Sequence, residues 1–337
     1  MKILVLGGLG FIGTNFINKL IQKKHFEILN IDKISIPSNS YLTKNIKGKY
    51  KFIKLDITNF NKLLKVFLDF KPNSVINFAA ETHVDNSILS SKDFIYSNII
   101  GTYNLLECTK IFLNKDINKS FKFIQISTDE VFGDLGRNSS NNKSFKENSK
   151  YDPSSPYSAS KASGDFLVSS WIKTYDLPAI ITNISNNYGP YQFEEKLIPL
   201  SIKKILNKKK IPIYGDGNQK RDWIYVDDTI DALIQILKKA KRGTKYVIGT
   251  GQTVTNNMVI KKIYKNICKI LPNNFYSKNF NDNFTFVKDR LGHDQHYKID
   301  SSKIKNELNW VPEISLDKGL ELTCNWYISN KNWFNER

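Results

Sequence analysis

The chain has 337 residues, 40% of them hydrophobic and 24% charged, which is ample apolar material for a core. No run in it approaches the roughly 18 apolar residues of a membrane span. The net charge of +18 comes from 50 basic and 32 acidic residues, and only Arg137, Arg221, Arg242, Arg290 and Arg337 are arginines; lysines spread over every segment argue for a solvated surface, not a nucleic-acid docking stripe.

Three scattered cysteines, Cys108, Cys268 and Cys324, form neither a disulfide framework nor a zinc pattern, so no bound metal is expected. The first apolar run reaches glycine at position 7, too soon for a signal-peptide core, so a cytoplasmic protein is expected.

In chain order, short apolar runs at Lys2–Gly7, Glu27–Ile31, Lys51–Leu55, Ser74–Phe78 and Phe121–Ser127 alternate with helix-period stretches at Phe11–Lys23, Phe60–Phe70 and Tyr96–Lys110. Such alternation predicts an α/β fold, a doubly wound parallel sheet with helices on both faces. Ala179–Ile184 and Lys245–Ile248 are expected to extend the sheet. Gly136–Lys150, rich in Ser, Asn and Lys, reads as an exposed loop. The basic run Lys203-Lys204 and Lys208-Lys209-Lys210 carries no stacking aromatics and no Cys/His finger. After Gly251 the alternation is lost, with helical patterns near Lys303–Leu308 and Leu316–Tyr327. The predicted organisation is a dinucleotide-binding domain of residues 1–185 and 222–250, with a smaller discontinuous substrate domain of residues 186–221 and 251–337.

The first strand ends in Gly7-Gly8-Leu9-Gly10-Phe11-Ile12-Gly13. Glycines at 7, 10 and 13 allow a tight turn, a close approach to a pyrophosphate and close packing of the following helix, whose positive N-terminus favours the anion. Asp32 closes the second strand 19 residues later. A carboxylate there accepts hydrogen bonds from a ribose 2′-hydroxyl and repels a 2′-phosphate, which favours NAD over NADP. The plainer reading of Asp32 is a turn aspartate. Asp56, at the end of the third strand, is placed to meet an adenine edge, although Asp and Thr58 also begin helices well.

Tyr157-Ser158-Ala159-Ser160-Lys161 follows Pro156 at the start of a segment with helical period running to Tyr175. Tyr and Lys at i and i+4 share one helix face, and an ammonium beside a phenol lowers its pKa toward working pH. Alone the pattern is common; after a dinucleotide turn and five strands it becomes specific.

These motifs resemble the extended short-chain dehydrogenase/reductases, within them the NAD-dependent epimerase/dehydratase family and most closely its nucleotide-sugar 4,6-dehydratases. The resemblance rests on Ser127-Thr128-Asp129-Glu130-Val131-Phe132-Gly133, on Ser155 to Ser163, on Ser185-Asn186-Asn187-Tyr188-Gly189-Pro190-Tyr191, on Glu195 to Leu200, on Arg221 to Val226 and on Asp289 to Asp294, in family order. It implies a Rossmann sheet, NAD, and dTDP-glucose as the nucleotide-sugar substrate in deoxysugar (rhamnose precursor) synthesis. A CDP- or UDP-glucose dehydratase, or a 4-epimerase, is the alternative. A homodimer is also implied, paired through Tyr96–Lys110 and Tyr157–Tyr175, with no nucleic-acid or membrane partner.

Residue by residue, the resemblance adds Phe11, Ile12, Ile57, Phe78, Ala79, Ala80 and Asn98 to the cofactor side. Glu81 flanks the nicotinamide and sugar. His83, Thr128, Asn186, Lys196, Leu197, Pro212, Tyr214, Arg221, Asn256, Arg290 and His293 fall on the substrate side. Arginines suit a diphosphate because their planar fork engages two oxygens. Lys196 otherwise reads as one surface lysine among many, and His83 as a core or capping histidine. Asn86 stands where the family usually has arginine, Leu291 where it has proline, and residues 34–37 differ.

Adjacent acids at the end of the fifth strand distinguish dehydration from simple oxidation. Tyr157 is expected to take the proton of the sugar 4-hydroxyl as hydride passes from C4 to NAD, with Thr128 polarising the 4-oxygen and Lys161 supporting the phenolate. Glu130 then removes the C5 proton, Asp129 protonates the departing 6-hydroxyl, and hydride returns to C6. Two neighbouring carboxyls can hold different roles only if their environments push their pKa values apart.

Overall fold

The computed structural model describes residues 1–334 except 24, 36–37, 44–47, 116–119, 139–142, 274–276 and 278. Arg337 and parts of segments 34–37 and 136–150 therefore lie outside the described residues. The described strands are β1 (Lys2–Leu6), β2 (Glu27–Asp32), β3 (Tyr50–Lys54), β4 (Ser74–Asn77), β5 (Lys122–Thr128), β6 (Ala179–Ile184), β7 (Asn186–Tyr188), β8 (Ile211–Tyr214), β9 (Lys220–Tyr225), β10 (Lys245–Ile248), β11 (Thr253–Thr255) and β12 (Phe284–Val287).

Seven of them form one parallel sheet in the order β10-β6-β5-β4-β1-β2-β3. All seven runs expected to be strands are in it, with ends displaced by one residue at most. The winding reverses between β1 and β4, and at such a switch point the loops beyond the strand ends part to leave a crevice. Side chains alternate between two covered faces. Ile3 and Val5 pack with Phe16, Ile17, Leu233 and Trp310, while Leu4 and Leu6 pack with Leu63, Phe67, Leu105 and Val168. Burial on both faces explains why β6 reads as a nearly unbroken apolar run.

A second group contains the three-stranded sheet β11-β9-β7 and the pair β12-β8, around Ile198, Ile202, Ile213, Val259, Ile263 and Leu320. β9 crosses the expected boundary at 221/222 and pairs with β7 on one side and β11 on the other. Ile304, Leu308 and Trp310 pack in the core of the large sheet, so the chain returns to that sheet after forming the second group. Asp228 fixes this return. Its two carboxylate oxygens accept the backbone N–H groups of Glu313 and Ile314, each at 3.0 Å.

Two helices position the site. Pro156–Tyr175 begins with Ser155, whose side chain accepts the N–H of Ser158 while the Ser158 hydroxyl reaches back to Ser155, a reciprocal cap with proline at the first turn. The expected helix Tyr96–Lys110 differs from the structure: Lys92–Phe94 is helical, Ile95–Ile100 forms a π-turn, and the α-helix proper is Gly101–Lys115. A Cβ at Gly101 would lie 2.4 Å from Ile57 Cδ1, so any other residue here would force the Ile57 side chain, just after β3, to shift. A 3.6-residue hydrophobic period carries no signal for a π-turn.

Asp228→Ala leaves two N–H groups without their partner and should cost about 2 kcal/mol, read as a lower urea midpoint. An unchanged midpoint would show that the tie contributes nothing.

Candidate active site

A cleft of about 310 Å³ opens at the C-terminal ends of β1, β2, β4 and β5. Gly7, Gly10, Phe11, Ile12, Gly13, Asp32, Asp56, Ile57, Phe78, Ala79, Ala80, Tyr157 and Lys161 line it, as do Thr128, Asp129 and Glu130. Gly7 has φ of +72°, and a Cβ there would lie 2.4 Å from the Ala79 nitrogen. At Gly13 a Cβ would lie 2.7 Å from the Gly7 carbonyl oxygen. Side chains at either place would fill or break the turn. The helix Phe11–Ile21 starts without a side-chain cap, so its first-turn N–H groups lack a side-chain partner. This cradle fits a pyrophosphate.

Asp32 accepts the N–H groups of Leu9 at 3.1 Å and Ile34 at 2.9 Å, and burial raises its pKa. It therefore serves the turn and the cleft wall together, with lone pairs remaining for a ribose hydroxyl. Asp56 holds both the N–H and the hydroxyl of Thr58 at 2.8 Å; the helix Phe60–Phe70 is capped instead by Asn59.

Asn98 does not line the cleft. The π-turn buries it behind the wall, where it accepts the Glu81 N–H at 2.9 Å and donates to the Glu81 carbonyl at 3.0 Å and to Ser160 Oγ at 2.8 Å. Asn98 thereby fixes the loop after β4 against the helix that carries Tyr157.

A second cavity of about 190 Å³ is lined by His83, Asn186, Lys196, Leu197, Pro212, Tyr214, Arg221, Asn256, Arg290 and His293. Thr82, Glu130, Asn186, Asn187, Gln192, Glu195 and Lys196 belong to both cavities, so the two are continuous. Asn186 Oδ1, Asn187 Oδ1, Gln192 Oε1, Asn256 Oδ1 and Trp223 Nε1 are buried without a hydrogen-bond partner. Buried polar atoms carry that cost where a ligand supplies the missing partner.

Several substrate-side residues already have internal partners. Arg290 grips Asp85 through two nitrogens, at 2.5 and 2.9 Å. Arg221 donates to the carbonyls of Lys220 and Asp294 and stacks on Tyr297, 4.5 Å from the ring centroid. His83 caps the helix Val84–Leu89, its Nδ1 accepting the Asn86 N–H at 3.1 Å, with Nε2 3.4 Å from Glu195. His293 Nδ1 lies 2.6 Å from Asp289. Lys196 donates to the Thr82 carbonyl at 3.0 Å. Of the family departures, Asn86 and Leu291 are exposed.

The chemistry-bearing groups meet where β5 runs into the turn Asp129–Phe132 and the helix Pro156–Tyr175 crosses it. Thr128 caps that turn, accepting the Glu130 N–H at 3.2 Å and donating to Asp129 Oδ1 at 3.2 Å. Asp129 Oδ2 is buried with no partner. Burial, then the charges of Glu130 and Asp222, push the Asp129 carboxyl well above its ordinary value. Burial also raises Glu130, but Arg221, Lys196 and Arg290 oppose the rise. The two environments therefore separate, with Asp129 the stronger holder of a proton.

Tyr157 departs from the expected direction. Burial, then the Glu130 charge, hold its phenol well above the usual value, and Thr128 alone is a lowering influence among the leading ones. Lys161 is not among those leading influences; its ammonium donates to the Ile126 carbonyl at 2.7 Å, and burial lowers its own pKa.

Sequence reading missed Gln192, which adjoins a recognised string, and Lys33, which bridges the cleft mouth to Glu81 at 2.5 Å. It also missed Asp165, one helical turn past Lys161. Asp165 is buried and bonded to Tyr151 at 2.7 Å and Asn183 at 3.1 Å. Its i+8 spacing from Tyr157 was the available signal.

Comparison with known proteins shows the family of the chain. The GDP-mannose 4,6 dehydratase family profile matches residues 4–323. A dTDP-glucose 4,6-dehydratase of Haemophilus influenzae is 44% identical over 98% of this chain and 99% of its own. The chain belongs to the dTDP-glucose 4,6-dehydratase family. The Escherichia coli member is 43% identical over 99% of this chain and 95% of its own. Among solved structures, the Bacillus anthracis dTDP-glucose 4,6-dehydratase in complex with NAD has a TM-score of 0.86 at 37% identity, covering 100% of this chain and 99% of that one. The Streptomyces venezuelae member with NAD and TYD bound has a TM-score of 0.87 at 32% identity, covering 99% and 98%.

Asp129 binds its proton more tightly folded than unfolded. Its stabilising contribution is therefore full below the unfolded carboxyl value of about 3.9 and is lost as pH rises through the raised native value. Asp129→Asn cannot ionise, so among variants of this family member it should keep a melting temperature that declines less from pH ~4 upward. A steeper decline than in the native protein, measured calorimetrically, would contradict the burial argument.

Proposed function

We propose that the chain converts dTDP-glucose to dTDP-4-keto-6-deoxyglucose with NAD, removing water across C5 and C6. The observation that carries this reading is the pair Asp129 and Glu130, the first buried and the second half-buried beside Tyr157, with their proton affinities driven apart. Oxidation or epimerisation at C4 needs one proton acceptor for the 4-hydroxyl. Elimination needs in addition an acid for the leaving oxygen and a base for the C5 proton.

The glycine turn, Asp32 and the Phe78–Ala80 loop would hold NAD, which would supply the acceptor for the C4 hydride and its return to C6. Tyr157 accepts the 4-hydroxyl proton, and Thr128 orients that oxygen. Lys161 lies one turn along the same buried face and is placed to bond a ribose hydroxyl of the cofactor. The 4-ketone acidifies C5–H. Glu130, kept more readily ionised by three cationic neighbours, takes the C5 proton and later returns it. Asp129, kept protonated by burial, gives its proton to the departing 6-oxygen. The second cavity receives the nucleoside diphosphate: Arg221, Arg290 and Lys196 answer its charge, and the unpartnered amide oxygens of Asn186, Asn187 and Asn256 accept from its neutral N–H and O–H groups.

We also infer a homodimer. Ile95, Tyr96, Ile100 and Tyr103 on one helical stretch, with Phe166 and Tyr175 on the adjoining helix, are each 40% exposed or more. A face of six large apolar side chains on two packed helices matches the anatomy of a subunit interface. Light scattering after size exclusion should give twice the 38.9 kDa chain mass; a monomer at micromolar concentration would refute this.

Purified protein offered dTDP-, UDP- and CDP-glucose should form the alkali-induced absorbance of a 4-keto-6-deoxy sugar with dTDP-glucose at the highest kcat/KM. Asp129→Asn or Glu130→Gln should lower that product by about a hundredfold or more while C4 oxidation persists. Undiminished product from either variant would remove the carboxyl pair from the mechanism. Conversion of UDP-glucose to its C4 epimer would favour the epimerase alternative.

A further inference from the structure

The reaction proposed above asks Tyr157, on one helix, to act on the same sugar as Thr128, Asp129 and Glu130 at the end of β5. The next inference rests on that reading and concerns what holds helix and strand end at a fixed separation. A misplacement of about 1 Å can cost roughly a hundredfold in rate, even when its cause lies away from the chemistry.

Tyr157, Lys161 and Asp165 follow one another at i+4 spacing on one face of the helix Pro156–Tyr175. The first two line the cofactor cleft, whereas Asp165, 1% exposed, lines neither cavity. Its Oδ2 accepts the Tyr151 hydroxyl at 2.7 Å and an Asn183 amide N–H at 3.1 Å, and its Oδ1 is buried without a partner. Asn183, fully buried in β6, donates from the same nitrogen to the Thr128 carbonyl at 3.1 Å. Its contact with the Tyr151 oxygen is longer, at 3.4 Å, and two N–H groups suffice for the two shorter bonds. The helix is thus joined to β5 at two carbonyls that flank Ser127. Lys161 donates directly to that of Ile126 at 2.7 Å, and Asp165 reaches that of Thr128 through Asn183. Tyr151 adds the segment beyond the turn, since the next residue, Asp152, donates its N–H to the Val131 carbonyl at 3.0 Å. Burial raises the proton affinity of Asp165, and a carboxyl oxygen accepts hydrogen bonds whether or not the group is ionised. Accepting, not charge, is what the position requires.

We propose that Asp165 is a positioning residue: by accepting from Asn183 and Tyr151, it sets where the Tyr157 helix stands relative to Thr128, Asp129 and Glu130. It meets neither cofactor nor sugar. Its effect falls on kcat, because the separation it fixes is that of the groups that act together on the sugar. KM is spared, because Asp165, Asn183, Tyr151 and Thr128 are all absent from the wall of the second cavity, which takes the nucleoside diphosphate.

Steady-state kinetics with dTDP-glucose on variants checked for folding by circular dichroism tests this. Asp165→Leu, similar in size but without an acceptor, should lower kcat about a hundredfold and leave KM within about twofold of native. Asp165→Asn keeps one oxygen for both bonds and should hold kcat within about threefold. Asn183→Leu breaks the same link from the strand side and should lose as much as Asp165→Leu. The double variant should lose no more than either single one, as expected of two residues in one link. An Asp165→Asn protein as slow as Asp165→Leu would overturn the proposal in favour of a role for the charge. A folded Asp165→Leu protein with native kcat, or with its loss in KM, would overturn it as well. So would failure of both leucine variants to fold, which would make the link structural alone. Native protein that forms no 6-deoxy sugar from any nucleotide-glucose would instead overturn the parent reading, before any variant is compared.

Discussion

The structure depends above all on keeping two adjacent carboxyls and a phenol together in a place from which water is largely excluded. Burial raises the proton affinity of all three. Three anions there would repel one another at low dielectric, so the arrangement is tenable only when the number of protons among them is controlled. Asp129 keeps its proton because burial and two neighbouring carboxylates oppose its ionisation, with Arg221 the only cation among its leading influences. Glu130, one residue on, has Arg221, Lys196 and Arg290 to favour its charge. An acid and a base are thus obtained from two like groups by what surrounds each.

The fold supplies those surroundings from distant parts of the chain. β5 delivers Thr128, Asp129 and Glu130 to the open end of the sheet, and the turn that follows is closed by Thr128 itself. The capped helix Pro156–Tyr175 lays Tyr157 and Lys161 across that end, and the π-turn with Asn98 fixes the loop after β4 against it. The second group of strands brings the cations. Its attachment through Asp228 and Trp310 to the large sheet therefore bears on catalysis as well as on stability.

Much of this was legible in the sequence because the relevant features are local. Alternating apolar runs located the parallel strands, the glycine spacing located the dinucleotide turn, and the i, i+4 pair located the catalytic helix. The features that escaped depend on contacts between remote segments. Asn98 was assigned to the cofactor side, yet its amide lies behind the wall because a π-turn rotates it inward. The Tyr157 phenol was expected to be lowered by Lys161, but burial and the Glu130 charge lead and raise it, and the ammonium donates to the Ile126 carbonyl, which no spacing rule reports. His83 took the capping role that stood as its plainer alternative, while Asp56 holds Thr58 and leaves the helix cap to Asn59; both remain at a cavity wall. β9 could not be divided from sequence because its pairing partners, β7 and β11, lie on either side of it in the chain.

The overall charge of +18 explains little of this, whereas two of the five arginines explain a good deal. Both Arg221 and Arg290 are already hydrogen-bonded within the protein, which orients each guanidinium before any ligand arrives. Asp85 holds Arg290 across 205 residues of sequence, joining the helix Val84–Leu89 to the segment after β12. Without that carboxylate the arginine would be a mobile cation at the cavity wall; with it, the charge stands at a fixed place near Glu130 and the second cavity. The same fixed charge can then favour ionisation of the base and answer a diphosphate. The many exposed lysines elsewhere contribute net charge but no such direction.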